Sequence, residues 1–204
     1  MRYLLISISL FLVISCGSLA TTKDLTSKTN NETVSNPYFS DTKTDYVYKA
    51  KINTGKNNFG GLLIIKKIKE EKHRVVFTTE FGNKIFDFEF SKESFKVNYI
   101  TDKLNKKLII NALKKDFHLL VSEFNKSELQ FNTNNKTIYK TTLNKKDNYY
   151  FISKKTKNLT KIVMASKRKE KMTISFQNLE DHIAKKIKIK HHNFNMTIQL
   201  NYIN

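Results

Sequence analysis

The chain has 204 residues and a formal net charge of +19, from 37 lysine and arginine residues against 18 acidic ones. That length allows one domain with a hydrophobic core, and a single cysteine excludes an intramolecular disulfide. The excess charge is almost all lysine, whereas specific recognition of nucleic acid relies on bidentate arginine, so we expect no nucleic acid partner. A lysine-coated surface suits anionic lipid head groups better, although a composition this rich in lysine would coat any exposed surface.

The first fifteen residues have the layout of an export signal. Arg2 gives a positive start, and residues 3–14 form an apolar run. This run is shorter than the roughly 20 residues needed to span a bilayer, and the chain after it is polar. Residues 1–15 are therefore predicted to be a signal peptide that is removed on export.

Cys16 is the only cysteine, and one residue, Ser15, separates it from this run. The sequence Val13-Ile14-Ser15-Cys16-Gly17 resembles the lipobox of bacterial lipoproteins, which implies that Cys16 becomes the lipidated first residue of the mature protein. Several acyl chains on one cysteine hold a protein firmly on a membrane. An ordinary signal peptidase site at residues 18–20, which would release a soluble protein, is the alternative.

Residues 16–43 are predicted to be a flexible tether. Serine, threonine, asparagine and lysine dominate this segment, which also holds the only proline, Pro37. Such a composition buries too little apolar surface to offset the entropy of ordering. A single β-rich domain is predicted to span residues 44–204.

From residue 45 apolar and polar residues alternate, which is typical of strands with one buried face. The connections are short, so neighbouring strands should pair antiparallel as a meander. The residues predicted to face the core are Tyr46, Tyr48, Ala50 and Ile52, then Leu62, Ile64 and Ile68, then Val75 and Phe77, then Phe86, Phe88 and Phe90, then Phe95, Val97 and Tyr99.

Residues 104–124 break this rhythm, with apolar residues at three- and four-residue steps. That spacing predicts an amphipathic helix with a wide apolar stripe, and Asp102 is a suitable N-cap. We expect the helix to cover the sheet; a helix lying on a membrane surface is the alternative, and a curved sheet would allow both. The apolar residues are Leu104, Leu108, Ile109, Ala112, Leu113, Phe117, Leu120, Val121 and Phe124.

Alternation resumes after the helix, and the clearest strands are residues 185–191 and 194–203. The pattern indicates about eleven strands, more than a flat sheet carries comfortably, so the sheet should curl. The predicted fold class is α+β, mainly β: an antiparallel half-barrel of about eleven strands covered by one main amphipathic helix.

The lipobox, the tether, five meander strands, a helix and a final strand pair together resemble the LolA and LolB lipoprotein-localisation factors. Related uncharacterised lipoproteins common in Bacteroidetes share this arrangement. The resemblance is one of pattern over most of the chain. It implies an incomplete antiparallel barrel whose apolar concavity takes acyl chains. It also implies anchoring on the periplasmic face of the outer membrane, since no acidic residue follows Cys16 before Asp24.

A local resemblance lies in the loop between the third and fourth predicted strands. LolB-like proteins have an apolar residue before a glycine at a protruding loop tip that helps to hand over the lipid, and Phe81-Gly82 resembles this pair. Glu80 stands where that family usually has proline. The resemblance implies a lipid-transfer role for Phe81. The alternative is that Phe81 packs inward beside Phe77 and Phe86.

No motif indicates an enzyme. The histidines form no pair at metal-ligand spacing, and no nucleophile turn accompanies the cluster at residues 180–182. We therefore expect no catalytic residue, no metal and no cofactor.

The predicted function is binding of a lipid, or of a lipoprotein's acyl chains, during lipoprotein insertion into the outer membrane, by a monomer anchored at Cys16. The alternative is an interaction or structural lipoprotein whose barrel is filled by side chains and which docks an envelope protein complex. The sequence leaves open whether the half-barrel is hollow or filled. Candidate cavity residues are Leu108, Ala112, Leu113, Phe117, Phe86 and Phe88.

Overall fold

The structure is a computed structural model that describes residues 27–29, 31–92, 94–143, 146–167, 169–180 and 182–203. The predicted signal peptide and Cys16 lie outside the described residues. The elements are β1 (Ser27–Thr29), β2 (Thr33–Ser35), β3 (Asp45–Asn53), β4 (Asn58–Lys69), β5 (Lys72–Thr78), β6 (Lys84–Phe90), β7 (Phe95–Ile100), α1 (Lys107–Val121), β8 (Phe124–Lys126), β9 (Leu129–Asn132), β10 (Lys136–Leu143), β11 (Lys146–Ser153), β12 (Leu159–Ser166), β13 (Lys169–Glu180), β14 (Ile183–His191) and β15 (Thr197–Tyr202).

The main sheet has 13 antiparallel strands in the order β1-β9-β10-β11-β12-β13-β14-β15-β3-β4-β5-β6-β7. Strands β2 and β8 form a separate two-stranded sheet. Within the described residues β1 and β7 are the two edge strands, so the large sheet is not closed into a barrel. The mainly β prediction with one helix is confirmed, whereas the predicted strand count was too low.

Strand β3 buries the face that alternation predicts, since Tyr46, Tyr48, Ala50 and Ile52 are at most 4% exposed. In strand β4 the buried face is shifted by one residue from the predicted one, so that the side chains expected to face the core lie on the other face. Its buried residues are Leu63 and Ile65, because Leu63 pairs with Tyr48 and Ile65 with Tyr46 in the register with β3. Paired residues of neighbouring strands share a face of the sheet. The four consecutive apolar residues 62–65 conceal that choice in the sequence.

Helix α1 is shorter than predicted. Lys106 is its N-cap in an extended conformation, without a side-chain capping hydrogen bond, so the expected cap at Asp102 is incorrect. Leu104 is fully buried from the turn before the helix, and Phe124 begins β8 with its side chain 54% exposed. The apolar periodicity therefore extends past both helix ends because two flanking segments also supply apolar residues.

The helix packs on one face of the sheet and contacts strands that are far apart in the strand order. The Phe117 ring lies 5.7 Å from that of Phe86 on β6, and Asp116 bonds His191 on β14 at 2.8 Å. Five strand spacings of about 4.8 Å separate β14 from β6, about 24 Å on a flat sheet, whereas a helix is about 10 Å wide. The sheet must therefore curve around α1.

The segment before β3 corrects the expected tether. Strand β1 pairs with β9 and β2 pairs with β8. Asn36, Tyr38 and Phe39 are at most 2% exposed. The Tyr38 hydroxyl donates to the Leu159 carbonyl at 2.7 Å. The composition of residues 27–43 is polar on average, but its few apolar side chains are inserted into the core, so this segment belongs to the folded domain.

A second cluster lies on the other face of β9–β12, away from α1. Phe131 pairs with Ile138 and Ile138 with Phe151, so their side chains form one row across three strands. The Lys161 ammonium lies 4.2 Å from the centre of the Phe151 ring and covers part of it. Burial on both faces explains the consecutive aromatic residues 149–151. The cluster contains Phe131, Ile138, Tyr149, Phe151, Val163 and Ala165.

Replacing Phe39 by alanine tests whether residues 31–43 are part of the domain. Because the Phe39 ring is fully buried, Phe39→Ala should lower the free energy of unfolding by about 3–5 kcal/mol in urea denaturation. Phe124→Ala, at an exposed position, should change it by no more than about 0.5 kcal/mol. Equal effects of the two variants would mean that the segment is a tether.

Candidate functional site

The turn between β5 and β6, residues 79–83, holds Phe81 in a fixed position. The Thr79 amide donates to the Asn83 carbonyl at 2.8 Å, and the Gly82 amide donates to the Thr79 carbonyl at 3.0 Å. Gly82 has a φ of +84°, a conformation that glycine adopts without strain. The Phe81 side chain at the tip is 94% exposed. The turn therefore presents an aromatic ring to solvent on a hydrogen-bonded support.

A buried carboxylate holds the hairpin beneath this turn. Asp87 accepts hydrogen bonds from Arg74 Nε at 2.9 Å, Arg74 Nη2 at 2.7 Å and Lys84 Nζ at 3.1 Å. Asn98 Nδ2 donates to it at 3.3 Å. The Arg74 hydrogen bonds, with those from Lys84 and Asn98, hold the pKa of Asp87 well below its usual range, against the effect of burial. This network ties β5, β6 and β7 together.

The strand register places several turns at one edge of the sheet. The β3–β4, β5–β6, β12–β13 and β14–β15 turns all lie there, since Asn53 pairs with both Asn58 and Thr197. We call this the Phe81 edge. Glu80, next to Phe81, is paired with Lys49 at 3.2 Å. The lysines at strand ends or in these four turns are Lys56, Lys84, Lys167 and Lys169.

Aromatic side chains fill the space beneath α1. Phe86 and Phe88 stack with ring centres 4.5 Å apart, and Phe117 of the helix lies against Phe86. All three are fully buried, as is Leu113, while Ala112 is 6% exposed. These five predicted cavity residues are packed against one another and against their neighbours in the core. These five side chains therefore contribute to a packed core.

Leu108 differs from the other predicted cavity residues, because its side chain is 63% exposed. It lies in the first turn of α1, before the helix meets the sheet. Leu108 therefore belongs to the apolar stripe of the helix but is not part of the core.

Two depressions flank the ends of α1. The C-terminal depression has a volume of about 240 Å³ and includes Val121, Phe124 and Leu143 in its lining. The N-terminal depression has a volume of about 180 Å³ and includes Leu108 and Ala112. Each is smaller than the roughly 300–1,000 Å³ of pockets that enclose a drug-sized ligand. Both can accept only part of a long-chain molecule in this conformation.

The C-terminal depression contains a buried ionic group. Lys67 Nζ lies 2.7 Å from Glu123 Oε2, and His73 Nε2 lies 3.6 Å from Glu123 Oε1. Burial lowers the pKa of His73 below its usual value, although its contact with the Phe39 carbonyl, at 3.0 Å, acts in the opposite direction. A neutral His73 can donate to that carbonyl, so Lys67 is the cation that balances Glu123.

A second buried pair, Asp116 and His191, lies near the N-terminal depression. Asp116 is fully buried in α1, which raises the pKa of its carboxyl group, while His191 and Lys115 act in the opposite direction. This pair was not among the residues predicted from the sequence. The available signal was an acid at position 116 within the apolar stripe, three residues after Leu113 and four after Ala112. An acid at a core position of a helix needs a buried partner.

The remaining titratable groups give no sign of a metal centre. Within the described ranges, no group of three or more histidine, cysteine, aspartate and glutamate side chains is arranged to hold a metal ion. No helix within those ranges is long and apolar enough to cross a membrane.

Comparison with known proteins gives structural likenesses only. No family model matches the chain, and no curated protein matches it. A LolA superfamily protein from Nitrosomonas europaea is 7% identical with a TM-score of 0.49, over 83% of this chain and 88% of that one. A lipoprotein-sorting protein domain from Vibrio parahaemolyticus is 8% identical with a TM-score of 0.45, over 78% and 83% of the two chains. A DUF1329 family protein from Desulfovibrio piger is 10% identical with a TM-score of 0.43, over 78% and 84%.

The Asp87 network predicts a dependence of stability on pH. The pKa of Asp87 is lower in the folded chain than the value of about 3.9 in an unfolded chain, so its stabilisation is present above pH 4. It should be lost as the pH falls below that value. Asp87→Asn should lower the free energy of unfolding by about 2 kcal/mol at pH 7 and flatten its fall between pH 5 and 2, measured by urea denaturation.

Asp45→Asn is the matched control, because Asp45 pairs with Lys66 at an exposed position. Its effect should be below about 1 kcal/mol at every pH. Parallel pH curves for Asp87→Asn and the unmodified protein would contradict the assignment.

Proposed function

We propose that this protein is a lipid-anchored protein of the bacterial envelope that touches a membrane through the Phe81 edge and binds an acyl chain beneath α1. In this proposal it helps to insert lipoproteins into the outer membrane, as LolB-like proteins do. The observation that carries the proposal is the position of Phe81, which is 94% exposed on a turn fixed by hydrogen bonds.

An aromatic ring on a fixed turn inserts into a membrane at little conformational cost. Burial of a side chain of this size in an apolar environment is favourable by about 1.5–3 kcal/mol. The turn is already ordered, so insertion does not require the backbone to lose further freedom. Phe81 alone thus supports a weak, reversible contact of the kind that a transfer protein needs.

Lysines of the Phe81 edge add attraction to an anionic surface. Lys84, Lys167 and Lys169 stand at the ends of strands or in turns of this edge. Each lysine close to an anionic membrane adds about 1 kcal/mol of attraction, within a Debye length of about 10 Å. Glu80 is the acid nearest to Phe81, and its charge is balanced by Lys49.

Acyl-chain binding beneath α1 requires the helix to move. The residues that the helix covers are apolar, but their side chains fill the space. The exposed side chains Leu108 and Phe124 stand at the two ends of the helix, beside the two depressions. An acyl chain entering at either depression would replace contacts between α1 and the sheet with contacts to its own methylene groups, each worth about 0.8 kcal/mol.

In this proposal the lipid on Cys16 anchors the protein to the periplasmic face of the outer membrane. Ser27, the first described residue, is eleven positions after Cys16 in the sequence. A chain of that length spans at most about 36 Å. An anchored monomer could therefore reach its own membrane, or a lipoprotein carrier close to it.

A second candidate function follows from the filled core. The packed aromatic cluster and the two small depressions suit an interaction lipoprotein that docks an envelope protein and takes up no lipid. Such a protein would keep α1 on the sheet at all times. The two candidates differ in whether an acyl chain ever contacts Phe117.

The membrane contact is tested with the chain from position 16 onward carrying Cys16→Ser, which lacks the predicted apolar signal peptide and cannot be lipidated. Its affinity for vesicles of phosphatidylglycerol should fall about tenfold with Phe81→Ala, measured by co-sedimentation, because the variant loses the inserted ring. Ile68→Ala removes an exposed apolar side chain from the other end of the domain, outside both depressions, and should leave the affinity unchanged. The proposal fails if the two variants bind vesicles equally well.

Tryptophan fluorescence tests acyl-chain binding, because the chain contains no tryptophan. In Phe117→Trp the only indole lies beneath α1, and a brominated fatty acid should quench its emission if the chain enters there. Phe151→Trp places the indole on the other face of the sheet, where no quenching is expected. Absence of quenching in Phe117→Trp would favour the filled interaction lipoprotein.

A further inference from the structure

Three lysines line the N-terminal depression, and they come from three different elements. Lys115 belongs to α1, Lys146 begins β11 and Lys171 lies near the start of β13. Since β11 and β13 are separated by β12, only the folded sheet brings these side chains together. The chain therefore concentrates three positive charges around a space of about 180 Å³.

A β-bulge directs one of the three lysines into the depression. Met164 pairs with Met172, but the next residue, Ala165, pairs with Glu170, so Lys171 has no partner on β12. An extra residue of this kind changes the direction in which its side chain points. Without the bulge, Lys171 would share the opposite face with Thr173, two residues further along the strand.

The three positive charges are not balanced by ion pairs. Among the residues that the structure describes, no carboxylate lies within 4 Å of any of these ammonium groups. The acids close by are engaged elsewhere: Asp147 with Lys140 at 3.0 Å, and Asp116 with His191 at 2.8 Å. Burial lowers the pKa of Lys146, and repulsion from Lys115 and Lys171 lowers it further. An anion in the depression would relieve this repulsion.

The depression also has an apolar wall. Leu108, Ala112, Met164 and Phe194 line it together with the lysines. The Phe194 ring packs on the His191 ring with centres 4.3 Å apart, and His191 is held from below by Asp116. A ligand that fills this space would meet both ammonium groups and apolar side chains.

We propose that Lys115, Lys146 and Lys171 bind the phosphate group of an amphipathic molecule whose apolar part lies against Leu108 and Phe194. A phosphate is the best match because it carries up to two negative charges on three accepting oxygens. A carboxylate offers one charge on two oxygens. The occupation of this site by a membrane lipid rests on the proposed membrane contact.

A soluble short-chain ligand separates this site from the membrane contact. Dihexanoylphosphatidic acid, below its micelle concentration, is titrated by isothermal calorimetry into the same Cys16→Ser chain from position 16 onward. It should bind at least about tenfold more tightly than inorganic phosphate, because it adds the apolar contacts. Equal affinities for the two probes would overturn the amphipathic ligand and leave a site for free phosphate. Phe81→Ala should leave both affinities unchanged, so loss of vesicle binding and loss of this site are distinguishable.

Lysine variants identify the residues that bind. Lys146→Gln should weaken phosphatidic acid binding at least about tenfold, and Lys146→Arg should keep most of it. Lys188→Gln is the matched control, since it removes the same charge from an exposed position on β14. Lys146→Gln should also raise the Tm of the unliganded protein, because it relieves the repulsion. Equal loss of binding in Lys146→Gln and Lys188→Gln, or unchanged binding in both, would overturn the assignment.

Discussion

The contacts of α1 with two distant parts of the sheet determine the shape of this protein. Phe117 packs against Phe86 on β6, while Asp116, one residue earlier, bonds His191 on β14. The contact between the Phe117 and Phe86 rings is a dispersion contact, which permits the helix to slide on the sheet. The contact between Asp116 and His191 is a directional hydrogen bond shielded from water. Together they fix both the position and the rotation of the helix. The curvature of the sheet, the burial of its aromatic face and the two depressions all follow from that placement.

The same placement gives the two helix ends different chemistry. At the C-terminal end, Lys67 balances the buried Glu123, so the local charge is close to neutral. At the N-terminal end, the described acids are engaged with other partners and three lysines face the depression. A helix N-terminus also carries partial positive charge, which adds to that of the lysines. The electrostatic contrast along α1 is therefore built from side chains and backbone together.

The buried face of β3 and the position of α1 were predictable from the sequence. Strand β7 was not, since Val97 and Tyr99, which alternation predicted to face the core, are 38% and 44% exposed at the edge of the sheet. The alternation of β3 directly identified its buried residues, and the three- and four-residue steps identified α1. In β4, four consecutive apolar residues concealed the register, which only pairing with β3 decides. Residues 31–43 were predicted to be a flexible tether because their mean composition is polar. That average conceals the insertion of Tyr38 and Phe39 into the core. The direction of Lys171 depends on a bulge, a feature of pairing that one strand's sequence does not encode.

The weak attachment of strand β1 determines how the domain would respond to a force that pulls on its N-terminal segment. It consists of three exposed residues and pairs only with β9. Pulling it away exposes little apolar surface, whereas pulling out Tyr38 and Phe39 opens the core. Tension on the chain would thus release β1 first and add about 10 Å of free chain. It would next meet β2, which pairs with β8 and carries the buried Val34, before it reached Tyr38 and Phe39. The N-terminal segment would therefore yield in steps, and the first step leaves its buried side chains in place.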